Sequence, residues 1–186
     1  MPRKHRKPSA PQKQPSMSGR DERSESAAEY RRHFDQYYLA VIPRLLNDEG
    51  LFLAFVAMLS AVEALAGAFA PERGTGERFR AFVSRYFPET YRPHVNALWE
   101  VRNKLVHSFN PGPMMILCHN SRMHLSAASG VYMLNAEDFY ADMLAASRRY
   151  FQELYADEQL QRNFTKRLAD SGDGGGPTTC QVNESL

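Results

Sequence analysis

Residues 99 to 107 read W-E-V-R-N-K-L-V-H and bring an arginine (Arg102), an amide (Asn103) and a histidine (His107) into one short amphipathic segment. That set suits phosphoryl chemistry on RNA without a metal. An imidazole titrates near neutral pH and can move a proton. A guanidinium keeps its charge and braces a phosphate with a planar fork of donors. At about 100° per residue, Asn96, Glu100, Asn103 and His107 line one polar stripe, and His94, Leu98, Val101 and Leu105 line the opposite face. Arg102 falls on the shoulder of the apolar face, where an arginine either snorkels along the core or is held by an acid. Pro111 and Gly112 stop the helix soon after His107 and put it in the last turn. On spacing alone the commoner reading is structural: an arginine in an ion pair and a histidine closing a helix end.

The acid that could hold Arg102 is Glu63. It is the one charge in the run Leu51 to Ala70, LFLAFVAMLSAVEALAGAFA. The run has membrane-spanning length, but a central carboxylate costs a few kcal/mol in lipid and no basic cluster closely flanks it. It reads as a fully buried helix, with Glu63 expected to approach Arg102 and aim its guanidinium. The alternative is that Glu63 faces a solvent gap or caps a polar pocket. The basic N-terminus has no apolar stretch behind it, so it does not read as a signal peptide.

The remaining elements follow from periodicity and punctuation. Residues 1–26 are rich in Pro, Lys, Ser and Gln and carry seven Lys or Arg against three Asp or Glu, while the whole chain is only +2. This segment reads as a disordered basic tail, unable to bury enough surface to offset its entropy, and the rest is mildly acidic. A helical domain is expected over residues 27–170 and a disordered Gly-rich tail over residues 171–186. The first helix runs from Ser26 to about Asn47 and is kinked by Pro43. The second is the apolar run. Thr75 caps a third helix that carries Glu77 in its first turn and stops at Pro88. The helix bearing Arg102 and His107 starts near Tyr91 to Pro93. Two apolar stretches, Met114 to Cys118 and Val131 to Leu134, predict a small β-hairpin or meander, with His124 to Ser126 pairing with the first. Asn135, with Asp138 three residues on, caps a long last main helix, and a shorter one follows from about Asp157. The fold class is all-α: an up-and-down bundle with a small β-hairpin insert before the last long helix. Two cysteines, Cys118 and Cys180, make no disulfide framework and fit a reducing, cytoplasmic setting. No Cys/His cluster has structural zinc spacing.

A bundle whose penultimate core helix ends in Arg102-Asn103-Lys104-Leu105-Val106-His107 resembles the HEPN superfamily (higher eukaryotes and prokaryotes nucleotide-binding), whose motif is R-x4-6-H. The resemblance covers about Glu29 to Leu168. The segments TGERFRAFVSRYFP and WEVRNKLVHSFNP are also similar to a group of uncharacterised bacterial HEPN-like proteins. The β insert and the tails depart from the minimal fold. The resemblance implies a metal-independent endoribonuclease without cofactor, often a toxin or defence effector, in which two motifs face each other across a homodimer. Arg102 and His107 would be catalytic together with Asn103. From the residues themselves, Glu63, expected to aim Arg102, and Glu100, on the stripe with His107, are the supporting candidates. Partners would be an RNA substrate and a nucleotidyltransferase-type antitoxin, with no membrane. Family members that have lost activity imply the alternative of a non-catalytic dimerisation or nucleotide- or partner-binding module. Arg85, Tyr86, Tyr91 and Arg92 lie near the motif in sequence, where they could touch RNA or serve the core and the solvated surface.

Overall fold

The computed structural model describes residues 19–128 and 130–170. The Gly-rich tail and the first 18 residues lie outside them. Helix α1, Gly19–His33, begins inside the segment expected to be tail, so the helical domain starts earlier than residue 27. The chain then loosens and tightens in turn, through a π-helical turn, Phe34–Leu39, and a 3₁₀ turn, Ile42–Leu45. The single kinked helix expected here is therefore three pieces. Pro43 sits in the first turn of the last piece, where its missing N–H is tolerated. The Asn47 side chain then accepts the Gly50 N–H at 2.9 Å, and α2 starts at once.

Helix α2, Leu51–Phe69, is the central rod. Among the described residues it alone is long and apolar enough to cross a membrane. Its inner face, from Ala54 and Phe55 to Leu65 and Ala66, packs in the bundle core. It is not buried all round, as its composition suggested: Phe52, Leu53, Ser60 and Ala64 are exposed. A turn leads to α3, Thr75–Tyr86. Gly74, not Thr75, holds the cap position, with no side-chain bond to the helix end, while Glu77 does lie in the first turn. After Pro88 a 3₁₀ turn, Glu89–His94, feeds α4, Val95–Ser108. Helices α5, Ala136–Ala156, and α6, Glu158–Asp170, close the bundle. An aromatic cluster fills the space between α3 and α5, with Phe82, Tyr86 and Tyr150 in edge or tilted contact. Each such contact adds about 0.5–1.5 kcal/mol to simple burial.

The insert between α4 and α5 holds three strands, β1 (Met115–Cys118), β2 (Ala127–Ala128) and β3 (Val131–Asn135), in the order β1-β3-β2. Strands β2 and β3 form a short antiparallel hairpin, and β1, expected to pair with residues 124–126, instead joins β3 in parallel, Met115 opposite Tyr132. Residues 124–126 accordingly pair with β3 and not with β1: Leu125 N–H reaches Met133 O, and Met133 N–H reaches Ser126 O. Asn135 does occupy the cap position of α5, yet its side chain makes no bond to the helix backbone. Its Oδ1 accepts the Ser121 N–H and its Nδ2 donates to Asp138.

A polar relay pins this insert to the bundle. The Asn135 N–H donates to His124 Nδ1 at 3.2 Å. That leaves the proton of a neutral ring on Nε2, which faces the Tyr91 hydroxyl at 2.8 Å. The hydroxyl in turn donates to Asp142 at 2.8 Å. Burial pushes the His124 pKa down, outweighing the carboxylates of Asp138 and Asp142. Burial, with His124 nearby, also pushes down His94, which packs edge-on against Tyr132. Both rings thus bind protons more readily in the unfolded chain than in the folded one, so folding stability rises with pH across their titration. The unfolding midpoint in urea should be level above pH 7 and should fall steadily as pH drops below the ordinary value of 6.5. A midpoint independent of pH between 7 and 5 would contradict this.

Candidate active site on the second and fourth helices

Helix α4 presents the two faces its periodicity requires. Leu98, Val101 and Leu105 are buried, and His94 just before the helix is buried with them. Asn96, Glu100 and His107 are exposed and Asn103 is half-buried. Arg102 lies between these faces. Its Nη2 makes an ion pair with Glu63 Oε2 of α2, and the two side chains are only 16% and 17% exposed. The second nitrogen of the fork, Nη1, donates to Asn103 Oδ1 at 3.1 Å. The guanidinium also lies 5.5 Å from the centre of the Trp99 ring. That ring is seated against α3 at Gly76, where a Cβ would come within 2.9 Å of the indole, so only glycine admits it without a shift.

Glu63 therefore meets Arg102 as its lone charge in an apolar helix suggested, and Asn103 carries the guanidinium round α4 toward the polar stripe. Asn103 and His107 are four residues apart and share that stripe. His107 lies in the last turn and forms no hydrogen bond or ion pair among the described residues. Glu100 is likewise exposed on α4 without an ion pair among them. Within one copy of the chain, no hydrogen bond joins Arg102 to His107.

The helix ends at Ser108, three residues before Pro111. Phe109 closes it in the left-handed region, φ 49° and ψ 34°, with its N–H bonded to Leu105 O. Its ring is 77% exposed, two residues beyond His107. Sequence reasoning missed this residue, because phenylalanine carries no signal for such a backbone. An L-residue held there costs about 1–2 kcal/mol, and unusual backbone of this kind gathers at functional sites. Asn110 then accepts the Gly112 N–H at 2.7 Å. Lys104, Ser108, Asn110, Gly112 and Pro113 line a shallow depression of about 570 Å³ beside the helix end.

The other residues considered for RNA contact are occupied. Tyr86 and Tyr91 are core residues, 1% and 0% exposed. Arg85 bonds Glu153 at 2.7 Å, and Arg92 pairs with Glu89 on the surface. Comparison of the chain with protein-family models, with curated proteins and with solved structures finds no match.

Removing one partner of a half-buried ion pair strands the other charge. Glu63→Ala should destabilise the fold by about 2–4 kcal/mol, read by urea unfolding. The double variant Glu63→Leu with Arg102→Leu should recover most of that loss, because neither charge is then left alone. Phe109→Gly should raise stability by about 1 kcal/mol by removing the left-handed strain, and an unchanged or lower midpoint would count against strain at that residue.

Proposed function

We propose that this chain is a metal-independent endoribonuclease of HEPN type, working as a homodimer in the cytoplasm as a toxin or defence effector. The observation that carries the reading is the bond from Arg102 to Asn103. It turns a guanidinium braced from behind by Glu63 toward the stripe on which His107 stands free. Glu63 and Asn103 each take one N–H from the two terminal nitrogens of the fork, each of which carries a second, while Nε is buried.

RNA supplies its own nucleophile. One His107 takes the 2′-OH proton while the 2′-oxygen forms its bond to phosphorus. The His107 of the second copy gives a proton to the 5′-oxygen as the bond from phosphorus to that oxygen breaks. Arg102 stabilises charge that grows on the phosphate oxygens. The products are a 2′,3′-cyclic phosphate and a 5′-hydroxyl, so atoms and protons balance without a metal. The exposed apolar strip of α2 beside α4, with Leu53 and Ala64, supports pairing of two copies on this side. A depression lined by Lys104 and Ser108 lies at the same end of α4 as His107. A nucleotidyltransferase-type antitoxin is the partner this reading expects.

One observation favours a second reading, a non-catalytic dimerisation or nucleotide-binding module. Glu63 already gives Arg102 a carboxylate where the nuclease needs a phosphate. Cleavage of a labelled RNA in EDTA separates the two. The nuclease reading expects activity in chelator, with His107→Ala and Arg102→Ala each lowering it at least about 100-fold. Activity that vanishes with EDTA, or that survives intact in His107→Ala, rules the scheme out.

A further inference from the structure

The end of α4 holds an aromatic ring that neither the core nor the turn explains. Phe109 is the most exposed large apolar side chain among the described residues, and its ring makes no aromatic or cation–π contact among them. Its backbone is nevertheless fixed. The Phe109 N–H bonds Leu105 O at 3.1 Å, and the Asn110 N–H bonds Lys104 O at 3.4 Å. Glycine or asparagine closes a helix in this left-handed conformation with less strain, so the turn does not call for a phenyl group. Its chain neighbours Ser108 and Asn110 line the depression together with Lys104, Gly112 and Pro113, and no carboxylate is among those residues. Glu100 stands one turn before Lys104 on α4, in the order that favours a pair along a helix, yet the two form none. The lysine runs instead across Gly112, where a Cβ would come within 2.7 Å of Lys104 Cδ and 2.8 Å of Nζ. Gly112, at φ 80°, thus serves both the turn and the lysine. The side chains of Lys104 and Ser108 make no hydrogen bond or ion pair among the described residues. Asn110, whose Oδ1 holds the Gly112 N–H, keeps its amide donors.

We infer that this end of α4 is a subsite for single-stranded RNA, in which the Phe109 ring stacks on one base and Lys104 holds a neighbouring phosphate. The choice of RNA rests on the nuclease reading above and deepens it, because His107 adjoins Ser108 in the same last turn. Single strands are recognised by this combination: an aromatic face takes a base and a cation takes the backbone. A ring that docks on another protein belongs in an apolar patch, whereas this one is flanked by a hydroxyl and an amide. The carbonyl end of a helix repels anions, so the charge of Lys104 has to supply the attraction for the phosphate. Ser108 and Asn110 add donors for sugar and phosphate oxygens. A base stacked two residues beyond His107 fixes which phosphodiester the imidazole meets. A duplex, whose bases are already stacked on one another, does not engage the ring.

The probe is a labelled single-stranded 2′-O-methyl RNA, which binds without being cleaved, titrated with the full chain and followed by fluorescence anisotropy. Phe109→Leu keeps an apolar side chain and loses the π-face. It should weaken binding at least about fivefold, while Phe109→Trp binds at least as tightly as the parent. Phe109→Gly should also bind weakly although it relieves the left-handed strain, a split between affinity and stability that a merely structural ring would not show. Lys104→Gln should weaken binding and lower the slope of log K against log salt by about 0.7, the share of one phosphate contact. Lys104→Arg should restore both. A duplex of the same sequence should bind less tightly than the single strand. Circular dichroism checks folding and sedimentation checks the number of copies; if Phe109→Leu unfolds, Phe109→Gly and Lys104→Gln decide. No saturable binding by the parent, parent-like binding in a folded Phe109→Leu or Lys104→Gln, or equal affinity for the duplex overturns the subsite. So does weaker binding in Phe109→Leu that comes only with dissociation of a dimer, which assigns the ring to contact between copies. The expected binding pattern in a chain that cleaves no RNA refutes the nuclease alone. Cleavage that needs Arg102 and His107, with parent-like binding in Phe109→Leu and Lys104→Gln, refutes the subsite alone.

Discussion

One carboxylate in the most apolar helix of the bundle sets the terms for its neighbours. Glu63 cannot stay ionised and half-buried in α2 without a partner of opposite charge, and Arg102 is that partner. The pairing fixes the rotation of α4 about its own axis. With Arg102 turned to α2, Leu98, Val101 and Leu105 must face the core, and Asn103 and His107 must face out. A small rotation of α4 would leave an unpaired charge on one side and expose leucine on the other. Charge neutralisation and apolar burial therefore select the same orientation, which places the candidate catalytic groups with no separate device.

Both ends of α4 are held as well. At its start the 3₁₀ turn that leads into it carries Tyr91, whose hydroxyl is fixed between His124 and Asp142. The same relay anchors the β insert on α5, so the insert is part of what positions the helix. At its end the left-handed Phe109 turns the chain away and leaves His107 in the final turn, where neighbouring backbone is stiffened by the Asn110 to Gly112 bond. A site on a helix restrained at both ends and along one face keeps its geometry better than one built on loops.

How much of this was legible in the sequence depends on the range of the physics involved. The stripe on α4 is a local periodicity and could be counted. The Glu63–Arg102 pair could be inferred because a lone charge in an apolar run has few ways to be satisfied. Strand direction could not: short apolar stretches such as Met115 to Cys118 carry no mark of their partner, and β1 runs parallel to β3 through long-range packing alone. The π-helical turn before Pro43 was hidden because helical spacing of Tyr30, Phe34 and Tyr37 is nearly the same in either kind of helix. Phe109 was missed because its backbone is imposed by the turn that follows it.

The position of Glu63 cuts two ways, and the geometry of the Arg102 fork bears on which way wins. A carboxylate that orients a guanidinium also competes with a phosphate for it. The bonds in place use one N–H at each of two nitrogens: Nη2 meets Glu63 and Nη1 meets Asn103, while each carries two. On that account the ion pair need not break for Arg102 to act. Glu63 fixes direction and Asn103 fixes rotation, and a phosphate would meet the N–H groups of Nη1 and Nη2 that neither takes.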